Sequence, residues 1–103
     1  MPKTQFSIWK IMSGGPNIEI KYHAVFLKQF DKLQREIQKA FYRRLALFRQ
    51  DQFHSLLNNH RLSGRHADKR SINVTGDFRA LYQEENGVVI FKLIGTHHQL
   101  FGK

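Results

Sequence analysis

The sequence predicts a single α+β domain: an N-terminal strand, a two-helix hairpin, then an antiparallel three-strand meander, all in one sheet with the helices packed on one of its faces. Three observations carry this. Apolar and charged residues alternate at period two in Ile18-Glu-Ile-Lys-Tyr22, the apolar spacing switches to threes and fours between Phe26 and Phe48, and two β-type runs flank Asn86-Gly87.

Taken in order, residues 1–17 read as a flexible N-terminal extension. Ser13-Gly-Gly-Pro16-Asn17 is a linker or turn, and Phe6, Ile8 and Trp9 before it have no partner pattern beyond that of an added edge strand. The domain proper is residues 18–103, and its first strand buries one face through Ile18, Ile20 and Tyr22. Phe26, Phe30 and Leu33 then form one helix face, and Ile37, Phe41, Leu45 and Phe48 form a second. This phenylalanine stripe is core. Gln52 to Ser63 ends the helical region, Leu62-Ser-Gly64 turns the chain, and Arg65 to Arg70 is a polar, basic loop or edge. Strands follow at Ser71–Val74, Phe78–Glu84 and Val88–Ile94, divided by Thr75-Gly76-Asp77 and Glu85-Asn86-Gly87. A Gly-Thr-His turn ends the last of them, and His97 and His98 read as neighbours on an extended run whose side chains point to opposite faces.

Composition narrows the partners. Seventeen Lys plus Arg against eight Asp plus Glu give a formal charge of +9, which favours a polyanion (RNA, DNA, an anionic membrane surface or an acidic protein) or else serves solubility alone. No apolar run approaches the roughly 18 residues of a spanning helix, and Phe6-Ser-Ile-Trp9, followed at once by Lys10, is too short for a signal-peptide core. The absence of cysteine excludes disulfides and thiolate metal sites and fits a cytoplasmic location.

Of the six histidines, at 23, 54, 60, 66, 97 and 98, four lie at loop or strand ends near the meander. None makes a helical His-x3-His pair, so no metal or other cofactor is expected. Histidines among so many cations suit metal-free RNA cleavage. Attack of a 2′-hydroxyl on the neighbouring phosphorus needs a base, an acid for the leaving 5′-oxygen and cations over the phosphate, while an aromatic ring holds the unstacked base. His60, Asp77, Arg79, His97 and Phe101 supply these types, with Arg65, His66, Lys69, Arg70, Phe78, Lys92 and His98 as candidate RNA contacts. Composition alone leaves this one option among several, because a His or Arg at a sheet edge is more often solvated than catalytic. Asp77 is equally a cap for the Gly76 turn, and His60 an exposed loop residue.

At these same positions the chain resembles the RelE/ParE superfamily of toxin-antitoxin toxins, and within it the YafQ-like branch of RelE ribonucleases. The resemblance rests on His60-x-Leu62-x-Gly64, Arg70-Ser-Ile, Gly76-Asp77-Phe78-Arg79 with Tyr82, and Gly95-Thr-His-x-x-Leu-Phe101-Gly102, within residues 18–102. It implies a RelE/ParE-like fold and a toxin that enters the ribosomal A site and cleaves mRNA there, held inactive by an acidic antitoxin in a toxin-antitoxin hetero-oligomer. It assigns His60 and His97 as catalytic histidines, Asp77 as an acid-base carboxylate, Arg79 as the phosphate-stabilising cation and Phe101 as the terminal aromatic, with Phe78 in place of a tryptophan. Asn73 stands where the YafQ pattern has a further histidine and Leu93 where it has an arginine, which leaves the cleavage rate or cut preference open. Two other outcomes remain compatible with the fold: a non-catalytic, ParE-like gyrase binder, against which the pair His60 and His97 argues, and a degenerate toxin that only binds antitoxin.

Overall fold

A computed structural model describes residues 18–102, and the extension expected at residues 1–17 lies outside them. β1 (Glu19–Tyr22) runs parallel to β5 (Val88–Thr96), with Glu19 opposite Val88 and Tyr22 opposite Phe91. A helix begins as soon as β1 ends, because His23 Nδ1 accepts the amide of Val25 at 3.1 Å and caps α1 (Ala24–Asp31). The hairpin continues into α2 (Arg35–Gln50), whose buried Ala40, Phe41, Leu45 and Phe48 repeat at helical spacing.

These residues meet the sheet in an aromatic core. Phe26, Phe41, Phe48, Tyr82 and Phe91 are each at most 1% exposed, and their rings pack edge-on or tilted, Phe41 on Phe91 at 5.3 Å and Phe48 on Tyr82 at 5.2 Å. Each such burial contributes about 1.5–3 kcal/mol, so the stripe legible in sequence supplies much of the stability.

The sheet has five strands in the order β1-β5-β4-β3-β2. β3 (Arg70–Asn73), β4 (Phe78–Glu85) and β5 form the expected antiparallel meander. Asn86 and Gly87 turn β4 into β5 with φ of 53° and 79°, the paired positive values of a tight hairpin. Ile72, Ala80, Tyr82, Phe91 and Ile94 face the two long helices. By the alternation of side chains, Ser71, Asn73, Arg79 and Leu81 face the other way.

Two features differ from the sequence reading. His60–Arg61 is an edge strand, β2, antiparallel to β3 with His60 opposite Ser71; two residues are too few to show a period. His97 and His98 are not extended. They open a short helix, α3 (His97–Phe101), because Thr96 and Gln99 form a reciprocal capping box: Thr96 Oγ1 accepts the Gln99 amide at 3.1 Å and Gln99 Oε1 accepts the Thr96 amide at 2.8 Å. Gly102, at φ 73°, closes the helix with its amide on the His98 carbonyl at 2.7 Å. His97 and Phe101 thus stand one turn apart on one helix face.

Candidate active site

A cavity of about 270 Å³ opens on the sheet face away from α1 and α2, lined by Asn58, His60, Leu62, Ser71, Arg79, His97 and Phe101. Four of the five expected catalytic side chains line it, contributed by β2, β4 and α3.

His60 is placed by the two asparagines before it. Asn58 adopts a left-handed conformation, φ 46°, at the end of a short 3-10 turn, Ser55–Leu57, anchored by fully buried Leu57. Its carbonyl lies 2.8 Å from His60 Nδ1. A carbonyl only accepts, so Nδ1 carries the proton and Nε2 of the neutral ring keeps the lone pair. Asn59 is held at both ends of its amide. Nδ2 donates to the Gln52 carbonyl at 3.0 Å and to the buried Tyr82 hydroxyl at 2.7 Å, while Oδ1 accepts Arg70 Nε at 2.8 Å. Arg70 also lies over the Phe53 ring, 5.3 Å from its centre, so this expected RNA contact is largely occupied in bracing the loop that presents His60.

Arg79 reaches back into the β3–β4 loop, its Nη1 donating to the carbonyls of Thr75, Gly76 and Phe78 at 3.1–3.2 Å. Among the described residues Nε and Nη2 have no hydrogen-bond partner. The same loop is closed by Thr75, whose hydroxyl oxygen accepts the amides of Asp77 and Phe78 at 3.3 and 3.0 Å. Thr75, rather than the Asp77 carboxylate, is therefore the cap of this turn. Asp77 is exposed and does not line the cavity, but its carbonyl accepts the His97 amide at 3.0 Å and ties the loop to the start of α3.

On α3 the His97 and Phe101 rings lie 4.8 Å apart, and His66 meets the same Phe101 edge-on at 5.8 Å. The loop carrying His66 spans the face between β4 and α3. Asp68 accepts from Gln83 Nε2 at one end, and Arg65 Nη2 contacts the Leu100 carbonyl at 3.5 Å at the other. Lys69, 3.0 Å from Asp68 through its ammonium, holds that carboxyl below its ordinary pKa by hydrogen bonding, with a smaller contribution from charge.

The remaining expected RNA contacts are dispersed. Lys92 is half-buried at the register shift between β4 and β5, His98 is exposed on α3, and Phe78 packs on the helix side of the sheet in a groove with Leu33, Ile37, Ile94 and Leu100. Leu93, which faces Leu81 across the β4–β5 ladder, brings no cation to the cavity. Sequence reading missed Ser71, Asn58 and Asn59. The first is revealed only by the two-residue pairing with β2, and the others act through backbone and amide bonds that side-chain type does not announce. Among the described residues no group of three or more His, Asp or Glu side chains is placed to hold a metal ion, and no helix is long and apolar enough to cross a membrane.

Solved structures share this architecture. A YafQ variant from Escherichia coli superposes with a TM-score of 0.71 at 20% identity, over 82% of this chain and 99% of that one. YafQ in the E. coli DinJ-YafQ toxin-antitoxin complex gives 0.69 at 21%, over 82% and 98%. A chain of the RelB-RelE antitoxin-toxin complex from Methanococcus jannaschii gives 0.64 at 13%, over 80% and 95%. At such identities the likeness concerns the fold. A search of curated proteins finds no match. The sequence profile described as "Bacterial toxin of type II toxin-antitoxin system, YafQ" matches residues 18–102, the whole of the folded region described above, and the chain therefore belongs to the YafQ family of type II toxin-antitoxin toxins.

Proposed function

We propose that this toxin is a ribosome-dependent mRNA endoribonuclease that works without a metal ion. The observation that carries the reading is the gathering of His60, Arg79, His97 and Phe101 around one cavity. His60 Nε2, left with its lone pair by the Nδ1 bond to Asn58, takes the proton of the 2′-hydroxyl. The 2′-oxygen then bonds to phosphorus as the bond to the 5′-oxygen breaks, and His97 gives that oxygen a proton, leaving a 2′,3′-cyclic phosphate and a 5′-hydroxyl. Arg79 faces the growing phosphoryl charge with its uncommitted guanidinium edge. Phe101, braced between His97 and His66, offers a ring for the displaced base. Asp77 supports His97 from outside the cavity, through the loop to which the His97 amide is bonded.

The DinJ-YafQ and RelB-RelE complexes pair their toxins with antitoxins. A corresponding acidic antitoxin, matched to the +9 charge, restrains this chain in the cytoplasm until it reaches ribosome and mRNA. The test maps mRNA 5′ ends after incubating programmed ribosomes with the protein or its His97→Ala variant, beside a naked-RNA control. Cuts at the A-site codon that need both ribosomes and His97, with the variant slower by about 10²- to 10⁴-fold, support the proposal. A folded wild-type protein that arrests growth without cutting points instead to a gyrase-binding class. One that does neither is a degenerate toxin.

A further inference from the structure

We infer that Ser71 is a substrate-binding residue of this site, its hydroxyl donating a hydrogen bond to a non-bridging oxygen of the RNA phosphate held among His60, Arg79 and His97. The inference rests on the ribonuclease reading above and adds a contact that reading does not contain.

Ser71 is 1% exposed and, unlike the buried Tyr82 hydroxyl, its Oγ has no hydrogen-bond partner among the described residues. A buried hydroxyl without a partner is costly, so folded proteins rarely leave one. Here the orphan lies in the wall of the cavity. Ser71 is directly opposite His60 across the β2–β3 ladder, on the sheet face away from the two long helices, and it lines the same cavity as Arg79 and His97. The other unpartnered buried atoms, both His66 ring nitrogens and Asn73 Oδ1, belong to the neighbouring loop and the next position of β3 on that face, so unmet polar capacity is concentrated around the cavity.

The surrounding charge selects the ligand class. Two imidazoles and a guanidinium suit an anion, and a serine hydroxyl adds a short donor that carries no charge and needs no change of protonation. A phosphoryl oxygen accepts from Arg79, His97 and Ser71, while His60 Nε2, which keeps its lone pair, is left to face the 2′-hydroxyl. A hydroxyl whose only partner is the substrate makes a characteristic trade: removing it relieves the free protein and harms the complex.

The test compares wild type with Ser71→Ala in two assays: thermal unfolding with and without inorganic phosphate at matched ionic strength, and single-turnover cleavage on programmed ribosomes. The expected result is an unfolding temperature for Ser71→Ala equal to or above that of wild type, a phosphate-induced rise at most half that of wild type, and cleavage slower by about 10- to 100-fold with ribosome affinity unchanged. Should Ser71→Ala not fold, Ser71→Cys, which keeps the side-chain shape with a slightly larger atom and weakens the donor, is read in the same way. A serine that is merely structural gives the opposite pattern, a lower unfolding temperature with undiminished phosphate response and cleavage, and overturns the inference. If wild type itself fails to cut, the ribonuclease proposal falls, and the phosphate response alone decides Ser71: equal shifts in both proteins sink its role, and a shift confined to wild type supports it.

Discussion

Gly95→Ala offers a quantitative test of how α3 is held. A Cβ at this position would lie 2.9 Å from Gln99 Oε1, closer than real Cβ contacts allow, while Gln99 Cβ and Leu100 Cδ2, both at 3.5 Å, are ordinary neighbours. The clash is with the tip of a flexible side chain, so the backbone need not move. That tip, however, is the acceptor of the Thr96 amide at 2.8 Å, half of the capping box, and Gln99 avoids the new methyl only by giving up that bond. Losing a cap costs about 0.5–2 kcal/mol. Replacing a strand glycine by alanine returns roughly 0.5–1 kcal/mol of chain entropy. Global stability should therefore change by less than about 1.5 kcal/mol, while α3 itself loosens and carries His97 and Phe101 out of place. The assay is a double-mutant cycle with Gln99→Ala, read by urea unfolding and by amide exchange in α3. Where the Gln99 tip is already absent, Gly95→Ala should turn neutral or stabilising, giving a coupling of about 1 kcal/mol. Additivity within about 0.3–0.5 kcal/mol would refute the argument.

Other expectations follow from the bonds described. Tyr82→Phe removes an acceptor shared by Asn59 and Gln52, yet each amide keeps a second one, the Gln52 carbonyl and Glu84 respectively. The loss should therefore be about 1 kcal/mol in urea unfolding and, under the proposed activity, cleavage should slow as the His60 loop relaxes; a change above about 3 kcal/mol would contradict the shared-acceptor network. Tyr22 has its pKa raised above the ordinary 10.0, chiefly by burial. Its neutral form is favoured by folding, so this contribution is complete below about pH 10 and is lost as the pH climbs through the higher folded value. Tyr22→Phe should flatten the alkaline fall in stability, and an unchanged profile would count against that burial effect.

The fold was legible wherever burial imposes a period. Phe26, Phe30, Phe41 and Phe48 announce the helices because one face of each must be apolar, and Asn86-Gly87 announces the hairpin because its backbone needs positive φ. The candidate site was legible by residue type. His60, Arg79, His97 and Phe101 do meet, whereas Phe78 and Arg70 do not serve the cavity because one packs toward the helices and the other is engaged by Asn59 and Phe53. α3 could have been read from Thr96-x-x-Gln99 followed by Gly102, a helix start and stop in miniature, but five residues show no convincing period. Ser71 was visible only as part of the Arg70-Ser-Ile strand motif, and nothing assigned it to the cavity without knowledge of β2.

The pairing of β1 with β5 bears on how the chain becomes dangerous as it is made. β1 is among the first described segments to leave the ribosome, but its hydrogen-bonding partner is Val88–Phe91, synthesised after both long helices and the rest of the sheet. Such a long-range parallel pairing pays its loop-closure entropy late and cannot guide early folding. Two of the four cavity side chains singled out above, His97 and Phe101, come later still. A partly synthesised chain therefore has neither a closed sheet nor a complete cavity. Under the activity proposed above, the ribosome translating this toxin is spared by the order in which its parts appear, and an antitoxin need only meet the finished fold.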